Sequence, residues 1–173
     1  MPRRSAAALL VPHVDRGPAR VVPPIRLAAD ARALFVDVVS AVAPEMVARG
    51  QGRLVAMSSL AAYRGLPKSA AYCASKAALT SYFESVRIDL RNTGIGVTII
   101  YPGFIKTDLT AGRAAKMPYL MELDYAVKKI VSAIEKEKKT YAFPWQLAAI
   151  VRSGLIMPAS MYDWIAGRNS YRE

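Results

Sequence analysis

A chain of 173 residues with 53% hydrophobic side chains has the size and apolar content of one domain with a substantial core, which excludes wholesale disorder. Its 24 Lys and Arg against 13 Asp and Glu give a formal net charge of +11, a balance that invites nucleic acid, anionic membranes or phosphate-bearing ligands. The single Cys73 excludes an internal disulfide, and His13 has no Cys or Glu companions for an ordinary zinc site, so no metal is expected and a reducing, cytoplasmic setting is.

Residues 1–32 carry Arg3, Arg4, Arg16, Arg20, Arg26 and Arg32, and five of the 11 prolines, a composition that predicts an irregular basic arm. The apolar run 6–11 is too short for a signal peptide and ends at Pro12. From residue 33 the pattern changes. Leu34, Val38, Val42 and Met46, spaced by four, predict one buried helix face, and Gly50 and Gly52 end the helix. Residues 53–57 and 96–101 read as buried parallel strands. Between them lies a long helix, opened by Pro67 and a Ser69 cap, with a buried stripe of Leu79, Phe83, Val86 and Leu90, and closed by Asn92 and Gly94.

Strand, helix, strand predicts a right-handed parallel crossover. An irregular stretch, 104–118, precedes a helix from about Leu123 to Glu137 with Ala126, Ile130, Val131 and Ile134 inward, and a third strand follows at 140–143. The organisation expected is a basic arm (1–32), an α/β half-domain (33–144) and an apolar or amphipathic tail (145–173). The tail's best apolar run, 145–157, is too short to span a bilayer and is interrupted by Arg152. Peripheral membrane contact by this tail is not favoured over packing on the sheet. Positive charge is dispersed over the arm, exposed helix positions and the run 136–139, so solvated surface charge is expected rather than a nucleic-acid site.

Tyr72 and Lys76 are four apart on the long helix and share one face. Spacing alone is weak, because Tyr125 and Lys129 repeat it. Context separates the pairs. Ser58 and Ser59 stand upstream of Tyr72, directly after a buried strand, whereas Tyr125 has only Gly112 at the matching distance. Open α/β sheets bind ligands at the carboxyl ends of their strands, where Ser59, Pro102 and Gly103 are expected.

The run GRLVAMSSLAAYRGLPKSAAYCASKAALTSYFESVRIDLR, followed by GVTIIYPGFIKTDLT, strongly resembles the catalytic half of the short-chain dehydrogenase/reductase family, with its Ser, its Tyr-x-x-x-Lys and its Pro-Gly turn in order. The resemblance implies a partial Rossmann-type, doubly wound fold and an NAD(P)-dependent oxidoreductase acting on a small alcohol or carbonyl substrate. It implies that Tyr72 is the general acid/base, that Ser59 polarises the substrate oxygen and that Lys76 binds the nicotinamide ribose of NAD or NADP. An ammonium 4 to 6 Å from a phenolate, at an effective dielectric near 20, would stabilise it by about 3 to 4 kcal/mol. Pro102, Gly103, Ile105 and Thr107 match the segment that packs on the nicotinamide, 104–118 the substrate lid, and helix 70–91 a homo-oligomer interface.

The family's Thr-Gly-x-x-x-Gly-x-Gly turn and Asn-Asn-Ala-Gly strand motif do not occur in the sequence. Gly50 and Gly52 join a helix to a strand, whereas pyrophosphate needs a turn that opens a helix. The place of the family's fourth catalytic residue, an Asn, falls near Ala31, in a segment without Asn. These departures imply a truncated or misassigned gene product with an uncovered edge on strand 53–57. The alternative to an enzyme is a catalytically inactive remnant serving as an interaction module.

Overall fold

A computed structural model of the protein describes residues 35–107, 110 and 117–168. The arm, His13, Ala31 and Leu34 lie outside the described residues, as do parts of the stretch 104–118. Three parallel strands form the sheet: β1 (Gly52–Met57), β2 (Ile95–Pro102) and β3 (Thr140–Phe143), in the order β1-β2-β3. The register runs from Gly52 opposite Ile95 to Met57 opposite Ile100, and from Ile99 opposite Thr140 to Pro102 opposite Phe143. Five helices flank them: α1 (Asp37–Arg49), α2 (Ala70–Asp89), α3 (Leu123–Glu135), α4 (Trp145–Ser153) and α5 (Ala159–Arg168).

Strand alternation divides the core between the two faces of the sheet. Leu54, Ala56, Val97, Ile99 and Tyr101 pack against Val39 of α1, Phe83 of α2, and Leu147 and Ala148 of α4. Ile100 and Phe143 meet Ala126 and Ala133 of α3 on the opposite face. Helices therefore cover both faces, the doubly wound arrangement of an α/β fold. Ile99 and Ile100 are fully buried on opposite faces, each worth about 1.5 to 3 kcal/mol of hydrophobic stabilisation.

Several faces differ from the sequence pattern. On α1 the buried residue is Val39, and Val38 is 56% exposed. A strict spacing of four overshoots each helical turn by about 40°, so the packed face follows Phe35, Val39, Val42, Ala43 and Met46 instead. On α3, Ala133 is buried and Val131 is exposed, because five residues turn Val131 about 140° from the buried Ala126 whereas seven bring Ala133 back to its face. Ser69 occupies the N-cap of α2, yet its side chain makes no capping bond, and its carbonyl accepts from Cys73 N–H at 2.8 Å. Strand β1 is not buried throughout: Met57 is 42% exposed, and among the described residues β1 pairs only with β2. No helix among the described residues is long and apolar enough to cross a membrane.

On the first face, both connections from a helix into a strand contain a left-handed glycine: Gly50, the C-cap of α1, at φ 65°, and Gly94, in the turn between α2 and β2, at φ 81°. A Cβ on Gly94 would fall 1.9 Å from the Gly50 carbonyl oxygen, whereas one on Gly50 would meet nothing within 4 Å. Gly50→Ala therefore carries only the left-handed cost of about 1 to 2 kcal/mol. Gly94→Ala adds a backbone collision and is expected to lower the unfolding free energy further. Equilibrium urea unfolding of the two variants checks this, and equal losses would contradict the packing of one turn on the other.

Candidate active site

All three strands are parallel, so their carboxyl ends meet at one rim. Strand β1 delivers Ser58 and Ser59 there, β2 delivers Pro102 and Gly103, and β3 ends at a cis Phe143–Pro144 bond. The Ser58 N–H donates to Ile100 O at 2.9 Å, which extends the ladder one residue past β1. Its side chain is buried, with Oγ 3.2 Å from the Lys76 carbonyl oxygen and 2.7 Å from Thr80 Oγ1. Ser59 is extended and half-buried, and caps the 3-10 turn Leu60–Ala62 by accepting the Ala61 N–H at 3.2 Å.

Helix α2 carries the other two groups. Tyr72 is 51% exposed on its first turns. Lys76, one turn on, sends its Nζ to the Met57 carbonyl oxygen at 2.8 Å and stands 5.8 Å from the Tyr72 ring centroid. The ammonium thus sits at the end of β1, two residues before Ser59. Burial lowers the Lys76 pKa from its ordinary 10.5. Ser59 and Tyr72 stand on different elements, the turn after β1 and the start of α2. The second Tyr-Lys pair has a similar internal geometry, with Lys129 Nζ 5.2 Å from the Tyr125 ring centroid. What distinguishes Lys76 is its bond to the end of a sheet strand.

The remaining sequence-predicted residues have divided roles. Pro102 is buried at the end of β2, and the Gly103 N–H donates to Phe143 O at 2.8 Å. A Cβ on Gly103 would lie 2.9 Å from Leu147 Cδ2, so glycine is required for β2 to turn beside α4. Ile105 bridges Met121 and packs in the second core cluster. Thr107 is exposed, with its N–H donated to Thr110 Oγ1 at 2.8 Å. The two ends of the stretch 104–118 are tied together, because Met121 N–H donates to Phe104 O at 3.0 Å and Lys106 N–H to Met121 O at 2.9 Å.

Two supports of the site escape sequence reasoning. Thr80 bonds Ser58 and lies beside Tyr101, whose phenol is pushed up by burial, a direction Thr80 only partly opposes. Tyr101 stacks on Tyr63 at 5.0 Å between centroids. Arg64 holds the segment between Ser59 and Tyr72 against the C-terminal helices: its Nη1 donates to the carbonyl oxygens of Gly154 and Met157, and its guanidinium lies 3.9 Å from the Tyr162 ring centroid. Strand parity after Met57 could have flagged Ser58 as inward; nothing in the local pattern flags Arg64.

Residues 33–118 match the family model described as short chain dehydrogenase. An uncharacterised oxidoreductase of Myxococcus xanthus (strain DK1622) is 49% identical over 129 residues, covering 75% of this chain and 51% of that protein. One from Mycobacterium tuberculosis (strain CDC 1551 / Oshkosh) is 39% identical over 112 residues, covering 64% of this chain and 44% of that protein. A short-chain dehydrogenase of Burkholderia cenocepacia J2315, solved in complex with NADP, superposes with a TM-score of 0.67 at 21% identity, over 86% of this chain and 61% of that one. The fold is thus a Rossmann-type α/β fold of the dehydrogenase kind. The chain belongs to the short-chain dehydrogenase/reductase family, and it spans about half the length of the curated relatives it matches.

The end of β1 presents the Lys76 ammonium and the Ser59 hydroxyl, groups able to bond the ribose hydroxyls of a dinucleotide. The glycine pair offers nothing to its phosphates. Gly50 caps the carbonyl end of α1, donating its N–H to Val47 O, and Met46 fills the space beside Gly52. A helix carbonyl end repels phosphate. Gly50 and Gly52 therefore do not fit the pyrophosphate of a dinucleotide.

The Lys76 shift has a measurable consequence. Its folded pKa is depressed, so just below 10.5 the unfolded chain binds more protons and stability gains from Lys76 as pH rises through that window. Wild type is expected to become more stable relative to Lys76→Met from neutral pH towards 10.5, as read by urea midpoints at a series of pH values. A difference independent of pH would place Lys76 in solvent.

Proposed function

We propose that this protein is an NAD(P)-dependent oxidoreductase, moving hydride between a nicotinamide dinucleotide, NAD or NADP, and a small alcohol or carbonyl substrate. The observation that supports the reading is the Lys76 bond to the Met57 carbonyl oxygen at the end of β1, two residues before Ser59, with the exposed Tyr72 one turn away on the same helix. The nicotinamide, when bound, supplies or accepts the hydride. In the reducing direction the Tyr72 hydroxyl gives its proton to the substrate oxygen, and in the oxidising direction its oxygen takes that proton back. Ser59 donates a hydrogen bond to the same oxygen, since its hydroxyl only accepts from the Ala61 N–H and keeps its proton free.

Lys76 faces the negative charge left on the Tyr72 oxygen and binds the ribose hydroxyls. Pro102, Gly103, Ile105 and Thr107 form the wall beside the nicotinamide, with the stretch 104–118 as substrate lid. The setting we propose is cytoplasmic, in keeping with a buried, unpaired Cys73, and α2 is the proposed oligomer contact.

A second reading is favoured by the use of Gly50 and Gly52 for capping and packing: an inactive family member that serves as an interaction module. One experiment separates the two. Oxidation of NADPH and NADH by the full chain is followed against a panel of aldehydes and ketones, beside Tyr72→Phe with matched circular dichroism. The enzyme reading expects turnover in wild type and a loss of about a hundredfold or more in the variant. Equal inertness of the two folded proteins overturns it in favour of the module.

A further inference from the structure

The opposite end of the sheet carries a second constellation. Arg53 lies at the start of β1, Arg87 on the last turn of α2, Arg91 just beyond it, and Lys139 immediately before β3; all four line a cavity of about 410 Å³ walled by Ile95 and Val97. Six residue steps of extended chain lead from Arg53 to Ser59, so this cavity lies about 20 Å from the carboxyl end of β1.

Its charges are unevenly matched. Glu137 is the single carboxylate in the lining, and it pairs with Arg53. Arg53 Nη1 also reaches Thr98 Oγ1 at 3.3 Å, and its guanidinium rests over Gly96, where any Cβ would fall 2.7 Å from Cζ. Arg53 is therefore fixed and largely neutralised. Arg87 is not: its Nη1 is buried and has no hydrogen-bond partner. An unmet donor on a charged group is costly, and such groups normally find an acceptor. Arg91 and Lys139 are exposed at the mouth. The carbonyl end of α2 works against an anion here, so the cations left after the Arg53–Glu137 pair must outweigh it.

We propose that this cavity binds a small phosphate monoester or inorganic phosphate, with the guanidinium groups of Arg87 and Arg91 and the Lys139 ammonium gathered around the oxygens. Phosphate suits the lining better than a carboxylate, because three oxygens and up to two negative charges can meet three separate cations at once. The apolar wall of Ile95 and Val97 leaves room beside the phosphate for an organic group.

Thermal unfolding of the full chain is measured in inorganic phosphate, in glycerol phosphate, and in chloride at matched ionic strength. A saturable rise of the midpoint in phosphate over chloride is expected, and a larger rise with glycerol phosphate would identify the ester as the preferred source. Arg91→Gln and Lys139→Gln, both at exposed positions, should each weaken phosphate binding by about tenfold. Arg87→Met should raise the midpoint of the unliganded chain, since the orphaned donor is gone, and abolish the phosphate response. No saturable effect beyond chloride in wild type, or an undiminished phosphate response in Arg87→Met, overturns the proposal.

Discussion

The architecture of the rim depends on how α2 is tied to the end of β1. Parallel strands bring three carboxyl ends together, but a helix lying over them can rotate unless something fixes its face. Lys76 Nζ bonds the Met57 carbonyl oxygen, and Ser58 Oγ sits between the Lys76 carbonyl oxygen and Thr80 Oγ1. A serine hydroxyl has one proton. If Ser58 commits it to the Lys76 carbonyl, Thr80 must donate to Ser58, and the network has one polarity. The tie holds Thr80 and Phe83 on the sheet side of α2 and leaves Tyr72 facing outward. Buried networks of this kind specify geometry because each unmet group in them costs free energy.

Much of this was legible in the sequence. Three strands were expected at 53–57, 96–101 and 140–143, and they stand at Gly52–Met57, Ile95–Pro102 and Thr140–Phe143. Residues 96–101 are rich in β-branched side chains, and 54–57 is a short apolar run that follows a glycine pair closely, patterns that suit buried strands. Helix faces were less legible, because Val38 and Val131 are as apolar as the residues beside them, and only the packed neighbour decides which is turned inward. The uncovered edge of strand 53–57 was anticipated, but the exposure of Met57 was not, because hydropathy does not say which part of a sheet face a helix leaves uncovered.

The site was legible as chemistry and only partly as geometry. Tyr72 and Lys76 share a face, as their spacing requires, but so do Tyr125 and Lys129. The bond from Lys76 to Met57, the role of Ser58 beneath Ser59, and the clamp formed by Arg64 all join residues distant in sequence. No local pattern encodes such pairs. The same holds at the other end of the sheet, where Arg53 and Glu137 find each other across the sequence while Nη1 of Arg87 is buried without a hydrogen-bond partner. Part of the chain's net positive charge is therefore gathered at one cavity, although its spacing in sequence reads as dispersed.

The tie between β1 and α2 is best tested by a double-mutant cycle on Ser58→Ala and Thr80→Val, read as unfolding free energies in urea. If the two hydroxyls bond in the folded chain, the pair couples by about 1 kcal/mol, the usual net worth of such a bond. Additive losses, with no coupling between the two positions, would contradict it and leave the orientation of α2, and with it the placing of Tyr72 and Lys76, without its anchor.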